Sequence, residues 1–104
     1  MTDLLIHDLR ARFRETARVR LEEMTAILGQ LGEDPAGLKS LERLSRHFHG
    51  LAGMGGTYGF PRVSELGDEG EGLILPLVNR GQEPDAATLL RWAAIVEEIR
   101  EELG

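Results

Sequence analysis

The chain has no cysteine, which excludes a disulfide framework and a thiolate metal site. No apolar run approaches the ~20 residues that a membrane-spanning helix needs. Its opening, Met1-Thr2-Asp3, lacks the basic start and apolar stretch of a secretory signal, so a cytoplasmic location is the expectation. No glycine-rich loop ends in Lys-Ser/Thr, so no nucleotide cradle and no resident cofactor are expected. No serine stands beside a plausible base, which disfavours a nucleophilic hydrolase. There is no internal repeat and no low-complexity tract. The formal net charge of −6 argues against a general nucleic-acid binder.

What is present is helical periodicity along nearly the whole chain. With 104 residues, one domain with one core is expected, spanning 1–104. Thr2 or Asp3 can cap a first helix. Its apolar stripe is Leu5, Leu9, Phe13, Ala17, Leu21, Met24, Leu28 and Leu31. Gly29 and Gly32 mark its end, Glu33-Asp34-Pro35 reads as a turn, and His7 lies off the stripe. A second helix is expected from Pro35-Ala36, with Asp34 as cap and Pro35 at its first position. Gly59-Phe60-Pro61 ends it, because a residue before proline is biased away from helix.

A third helix should run from about Pro61 to Asn79, with Val63, Leu66, Gly70, Leu73 and Leu77 as its stripe and a kink at Pro76. Gly67, Gly70 and Gly72 weaken it by about 1 kcal/mol each against alanine. Gly67 and Gly70 are explained if they let this helix approach the second one closely. Arg80 to Pro84 is the next turn, and Asp85 caps a fourth helix with the stripe Leu89, Ala93, Val96, Ile99 and Leu103. Trp92 is expected beside that stripe, covering the end of the core. Short connections make neighbouring helices antiparallel. The expected fold is therefore all-α, an antiparallel up-and-down four-helix bundle. The chain closes on Glu101-Glu102-Leu103-Gly104, as an excised N-terminal module would.

Charge is unevenly placed. Arg10, Arg12, Arg14, Arg18 and Arg20 crowd the first helix, and Glu97, Glu98, Glu101 and Glu102 the last. Two solvated faces that complement each other are one reading, and a docking surface for an acidic partner is another.

The stretch from His47 to Phe60 carries the functional signal. If it continues the helix, Leu41, Leu44, Phe48, Leu51, Gly55 and Tyr58 form one face, and His49 lies about 130° from its centre, toward solvent. Glu42, Arg46, Gly53 and Gly56 share the side of His49. His47 falls on the opposite flank, at the boundary of the core. Interior glycines cost roughly 0.5–1 kcal/mol each, so glycines beside an exposed histidine need a reason. A cleared shelf that lets another protein reach the imidazole is one; a glycine-rich loop that ends the helix near Phe48 is the other.

The segment resembles the signature of histidine-containing phosphotransfer domains, including those that begin chemotaxis-type histidine kinases. That pattern is His, any residue, an aliphatic residue, usually Lys, Gly, and a further Gly ten positions after the His. Here it reads His49, Gly50, Leu51, Ala52, Gly53 and Gly59. Gly55-Gly56-Thr57-Tyr58-Gly59-Phe60 is especially similar to the chemotaxis-type version. Ala52 departs from the usual Lys.

The resemblance implies that His49 takes a phosphoryl group on Nε2. It also implies that Glu71, on the third helix, orients the ring by accepting from Nδ1, with Asp68 as the substitute candidate. Arg46, one turn before His49, is the best local replacement for the missing lysine charge. Ala52, Gly53, Met54 and Gly56 are expected to form the rim on which a partner docks. The implied partners are a response-regulator receiver domain, a histidine kinase, or both, with the partner supplying magnesium; a bacterial source follows from the resemblance alone. Two rivals remain at this stage. A metal site built on His47 and His49 is disfavoured, since positions i and i+2 lie about 200° apart on a helix. A helical adaptor that is never phosphorylated is the plainer rival. The oligomeric state is not indicated.

Overall fold

A computed structural model describes residues 2–104, with side chains from Leu5 onward. It has four helices and, among the described residues, no strand: α1 (Thr2–Glu33), α2 (Leu38–Gly55), α3 (Pro61–Arg80) and α4 (Ala86–Leu103). The expected Thr2 or Asp3 side-chain cap lies outside the described side chains. Each helix packs on its neighbours in sequence, and α1 closes the ring on α4. Contacts run in opposing chain order at every interface. Arg20 meets His47 while Phe13 stacks on Tyr58; Phe48 meets Gly70 while Gly55 meets Ser64; Gly70 meets Trp92 while Arg62 meets Glu98; and Thr25 meets Arg100 while Arg14 meets Leu103.

Periodicity located the core, with corrections. Phe13, Ala17, Leu21, Met24 and Leu31 are buried on α1, but Ile27 is buried too, while Leu28 only flanks the core. Leu5 is exposed. At 32 residues, α1 is far longer than the 18 residues of α2, and its first turns run past its neighbours. On α3 the buried face is Val63, Leu66, Gly67, Gly70 and Ile74, with Leu73 and Leu77 on its rim. On α4, Ala93 is exposed and Leu89 half-buried, while Trp92 is fully buried. Trp92 can sit inside because its indole N–H donates to the carbonyl of Gly70 at 3.2 Å.

The helix ends also differ from expectation. Asp34 does not cap α2. Its N–H donates to Gln30 at the end of α1, and its carbonyl accepts from Gly37, closing a turn that contains Pro35. The helix starts at Leu38, with no side-chain cap at Gly37. At the other end α2 stops at Gly55, so Tyr58 lies in a turn. There the N–H of Phe60 donates to the carbonyl of Gly55 at 2.8 Å, and Gly59 takes φ +85°, which favours glycine. Pro61 opens α3, Asp85 caps α4 through Thr88, and α3 continues through Pro76.

The arginines of α1 are used within the fold. Arg14 and Arg18 donate to the carbonyls of Leu103 and Gly104, each at 3.1 Å, where the partial negative charge of a helix C-terminus favours cations. Arg10 and Arg14 lie over the ring of Phe60, Arg12 pairs with Asp8, and Arg20 reaches His47. The complement between α1 and the end of α4 is thus made largely by backbone carbonyls. Glu97 pairs within α4 with Arg100, and Glu98 approaches Arg62 and Arg91.

The glycines of α3 are explained by contact. A Cβ at Gly67 would stand 2.8 Å from the carbonyl oxygen of Phe48 and the nitrogen of Ala52, both backbone. A Cβ at Gly70 would stand 2.5 Å from the Phe48 ring, whereas one at Gly72 would meet open space. We expect Gly67→Ala and Gly70→Ala to destabilise the fold by about 1–3 kcal/mol in urea unfolding, as overpacked sites do. Gly72→Ala should instead gain up to about 1 kcal/mol from helix propensity.

Candidate functional site

Helix α2 presents its two central histidines to different neighbours. His47 turns toward α1 and His49 toward α3. The chain follows the periodicity argument here: Phe48 between them is fully buried, so its neighbours are driven to opposite flanks.

His49 stands in the open, with its side chain 77% exposed. Its Nδ1 lies 3.0 Å from Oε2 of Glu71 and 3.4 Å from Oε1. Glu71 is 23% exposed, held in the angle between α2 and α3. An ionised carboxylate only accepts, so Nδ1 carries the proton in the neutral ring, and Nε2 keeps its lone pair. An imidazole held in one tautomer, with its second nitrogen open, has the form that a nucleophile requires. Asp68, the substitute candidate, is exposed one turn earlier.

The surroundings of His49 are small. Gly53 and Gly56 are exposed and Ala52 is half-buried. Met54, expected on the same rim, instead lies on the α1 flank of α2 beside Gly50, Arg20, Phe13 and Tyr58, because it falls about 140° around the helix from His49. A Cβ at Gly53 would meet nothing within 4 Å, so packing within the chain does not demand glycine there. Ser64 donates to the carbonyl of Ala52 at 2.6 Å and ties the last turns of α2 to α3. Arg46 is exposed one turn before His49, and among the described residues no hydrogen bond or ion pair holds its guanidinium.

His47 is held on both nitrogens, a feature its boundary position in the sequence only hinted at. Nε2 lies 2.8 Å from Glu23, and Nδ1 lies 3.2 Å from Nη1 of Arg20. Arginine has no acceptor, so Nδ1 accepts and Nε2–H donates to the carboxylate. Gly50 gives the guanidinium its room, since a Cβ there would stand 2.7 Å from its central carbon. Both nitrogens are engaged in the neutral ring. Burial lowers the pKa of His47 below 6.5, Glu23 opposes that, and Arg20 and Arg43 add to it.

A family model for the Hpt domain matches residues 8–103. The chain belongs to the Hpt domain family. Among curated proteins and solved structures nothing matches. An Hpt domain is a helical bundle that carries phosphoryl groups on histidine in two-component signalling, and this chain is accordingly a histidine phosphotransfer carrier of a phosphorelay. Hpt domains work with histidine kinases and response regulators. Among the described residues no helix is long and apolar enough to cross a membrane.

The state of His47 sets a pH dependence. The unfolded chain takes up a proton near 6.5, before the folded chain does, so acid favours unfolding. The stability contributed by neutral His47 should be complete above pH 6.5 and fall as the pH drops from there toward the lowered folded value. Thermal unfolding followed across that range should show the slope, and His47→Gln should flatten it.

Proposed function

We propose that the 104 residues form one phosphotransfer domain, an antiparallel up-and-down bundle, in which His49 accepts a phosphoryl group on Nε2. The observation that carries this reading is the 3.0 Å contact between Nδ1 of an exposed His49 and the Glu71 carboxylate. The opposing chain order of contacts at all four interfaces supports the bundle topology.

In the forward step the Nε2 lone pair attacks phosphorus and an N–P bond forms. The P–O bond to the donor breaks, and its electron pair leaves with the donor's oxygen: an aspartyl carboxylate for a receiver, ADP for a kinase that uses ATP. The ring becomes cationic, still protonated at Nδ1, and Glu71 offsets that charge. The reverse step returns the phosphoryl group to a receiver aspartate. Magnesium for either step belongs to the partner. Arg46 is the cation nearest in sequence on the exposed face of α2, and its freedom from other partners suits it to the phosphoryl oxygens in place of the usual lysine. Ala52, Gly53 and Gly56 form the docking rim, without Met54, which lies on the α1 flank. Gly53 supports this reading because glycine there costs helix stability and relieves no clash within the chain. Such a relay operates in the bacterial cytoplasm. Gly55 to Phe60 favours, as a second reading, the phospho-accepting domain of a chemotaxis-type kinase.

Incubation with a phosphorylated receiver, or with a kinase and labelled ATP, should give one acid-labile phosphoryl group, localised by mass spectrometry. His49→Ala should take up none; normal uptake by that variant would sink the assignment. Glu71→Gln should slow transfer by roughly 10–100-fold, the order seen when an orienting partner of histidine is lost. Gly53→Ala should raise stability by roughly 0.5–1 kcal/mol. Gly53→Phe should keep the fold and weaken transfer between the proteins.

A further inference from the structure

The turn of α3 that presents Glu71 is weak by composition. Gly67, Gly70 and Gly72 surround it, and such a segment has few side chains with which to fix its own rotation. On the α2 side it is seated by the bare faces of Gly67 and Gly70 against Phe48 and Ala52. On the opposite side two residues of α4 grip it. Trp92, fully buried, donates from its indole nitrogen to the carbonyl of Gly70 at 3.2 Å. Arg91 forks the carboxylate of Glu69, with Nη2 2.7 Å from Oε1 and Nε on the other oxygen. The gripped residues are the two that immediately precede Glu71.

We propose that Trp92, assisted by Arg91, is a positioning residue for the His49–Glu71 pair: the indole bond to Gly70 fixes the rotation of α3 and so the place of the Glu71 carboxylate. This rests on the reading of Glu71 as the group that orients His49. The indole is the main support because its bond is buried. The Arg91–Glu69 fork is half exposed, and screening by water weakens it. Reactive pairs must be held to about 0.5 Å and 10–20°, and a small rotation of a glycine-rich turn exceeds that at the tip of a glutamate. Helix α4, which has no side chain at His49 in this reading, thereby governs the tautomer of the ring.

The test uses the whole chain with Trp92→Phe, which keeps an aromatic ring and removes the donor, and Arg91→Gln. Ile27→Val on α1, whose backbone does not adjoin α3, serves as a destabilised control. Nitrogen NMR of the His49 ring reads the tautomer ratio directly. Trp92→Phe should shift His49 away from the Nδ1–H form and slow phosphoryl uptake by up to ~100-fold, the cost of a misplacement of about 1 Å. Arg91→Gln should move both in the same direction, by less. Ile27→Val should change neither, whatever it does to the melting temperature. An unaltered tautomer ratio in Trp92→Phe would overturn the inference. So would an equal shift in Ile27→Val, which would reduce the effect to general loosening. The ratio decides this point without any phosphorylation; absence of uptake by the wild-type chain would count against the assignment of His49 instead.

Discussion

The backbone of α3 touches the backbone of α2, and the rest of the arrangement depends on that contact. Gly67 sits where a single methyl group would collide with the carbonyl of Phe48 and the amide of Ala52. Gly70 makes the same allowance for the Phe48 ring. Bringing two helices this close shortens the span that a glutamate must cross to reach a histidine on the neighbouring helix. The interface therefore gives up intrinsic helix stability, about 1 kcal/mol for each glycine, in exchange for the geometry of the pair on its rim. Large residues supply the compensation elsewhere. Phe48 and Trp92 are both fully buried, on either side of Gly70.

The two histidines of α2 show how one helix creates unlike chemistry from one residue type. His47, on the flank that meets α1, is fixed by an arginine and a glutamate from that helix. It works as a cross-link between helices. His49, on the flank that meets α3, is fixed at one nitrogen and open at the other. The difference comes from their offset of two positions along a 3.6-residue repeat, about 200° around the helix, and from what each neighbouring helix offers across the gap.

Much of this was legible in the sequence, because the periodicity of apolar residues is a direct record of which side faces the core. It gave four helices, most of the buried residues, the exposure of His49 and the boundary position of His47. What it missed depended on contacts between distant residues. Leu5 fits its stripe but is exposed, because α1 outruns the other helices. Ile27 and Ile74 are buried where the stripes point to Leu28 and Leu73, since the core is wide enough to take an adjacent position when the neighbouring helix lies to that side. Trp92 looked peripheral because its hydrogen-bond partner, the Gly70 carbonyl, is a backbone group that no sequence pattern announces. Asp34 has the right chemistry for a cap, but its backbone is already committed to the end of α1 and to the turn around Pro35. At the candidate site, the pairing of His49 with Glu71 was reachable only through the resemblance. Spacing alone does not say which of the four acidic residues on α3, Glu65, Asp68, Glu69 or Glu71, will lie opposite a given residue of α2.

The double tether on His47 has a practical consequence for watching this molecule fold. A small electrophile that attacks any free imidazole lone pair finds His7 exposed on α1 and His49 open at Nε2, but meets His47 with its acceptor nitrogen already covered by a guanidinium. The native chain therefore offers two of its three histidines to such a reagent, and the unfolded chain offers all of them. The third adduct, counted on the intact mass, is a built-in reporter of when α1 and α2 come apart.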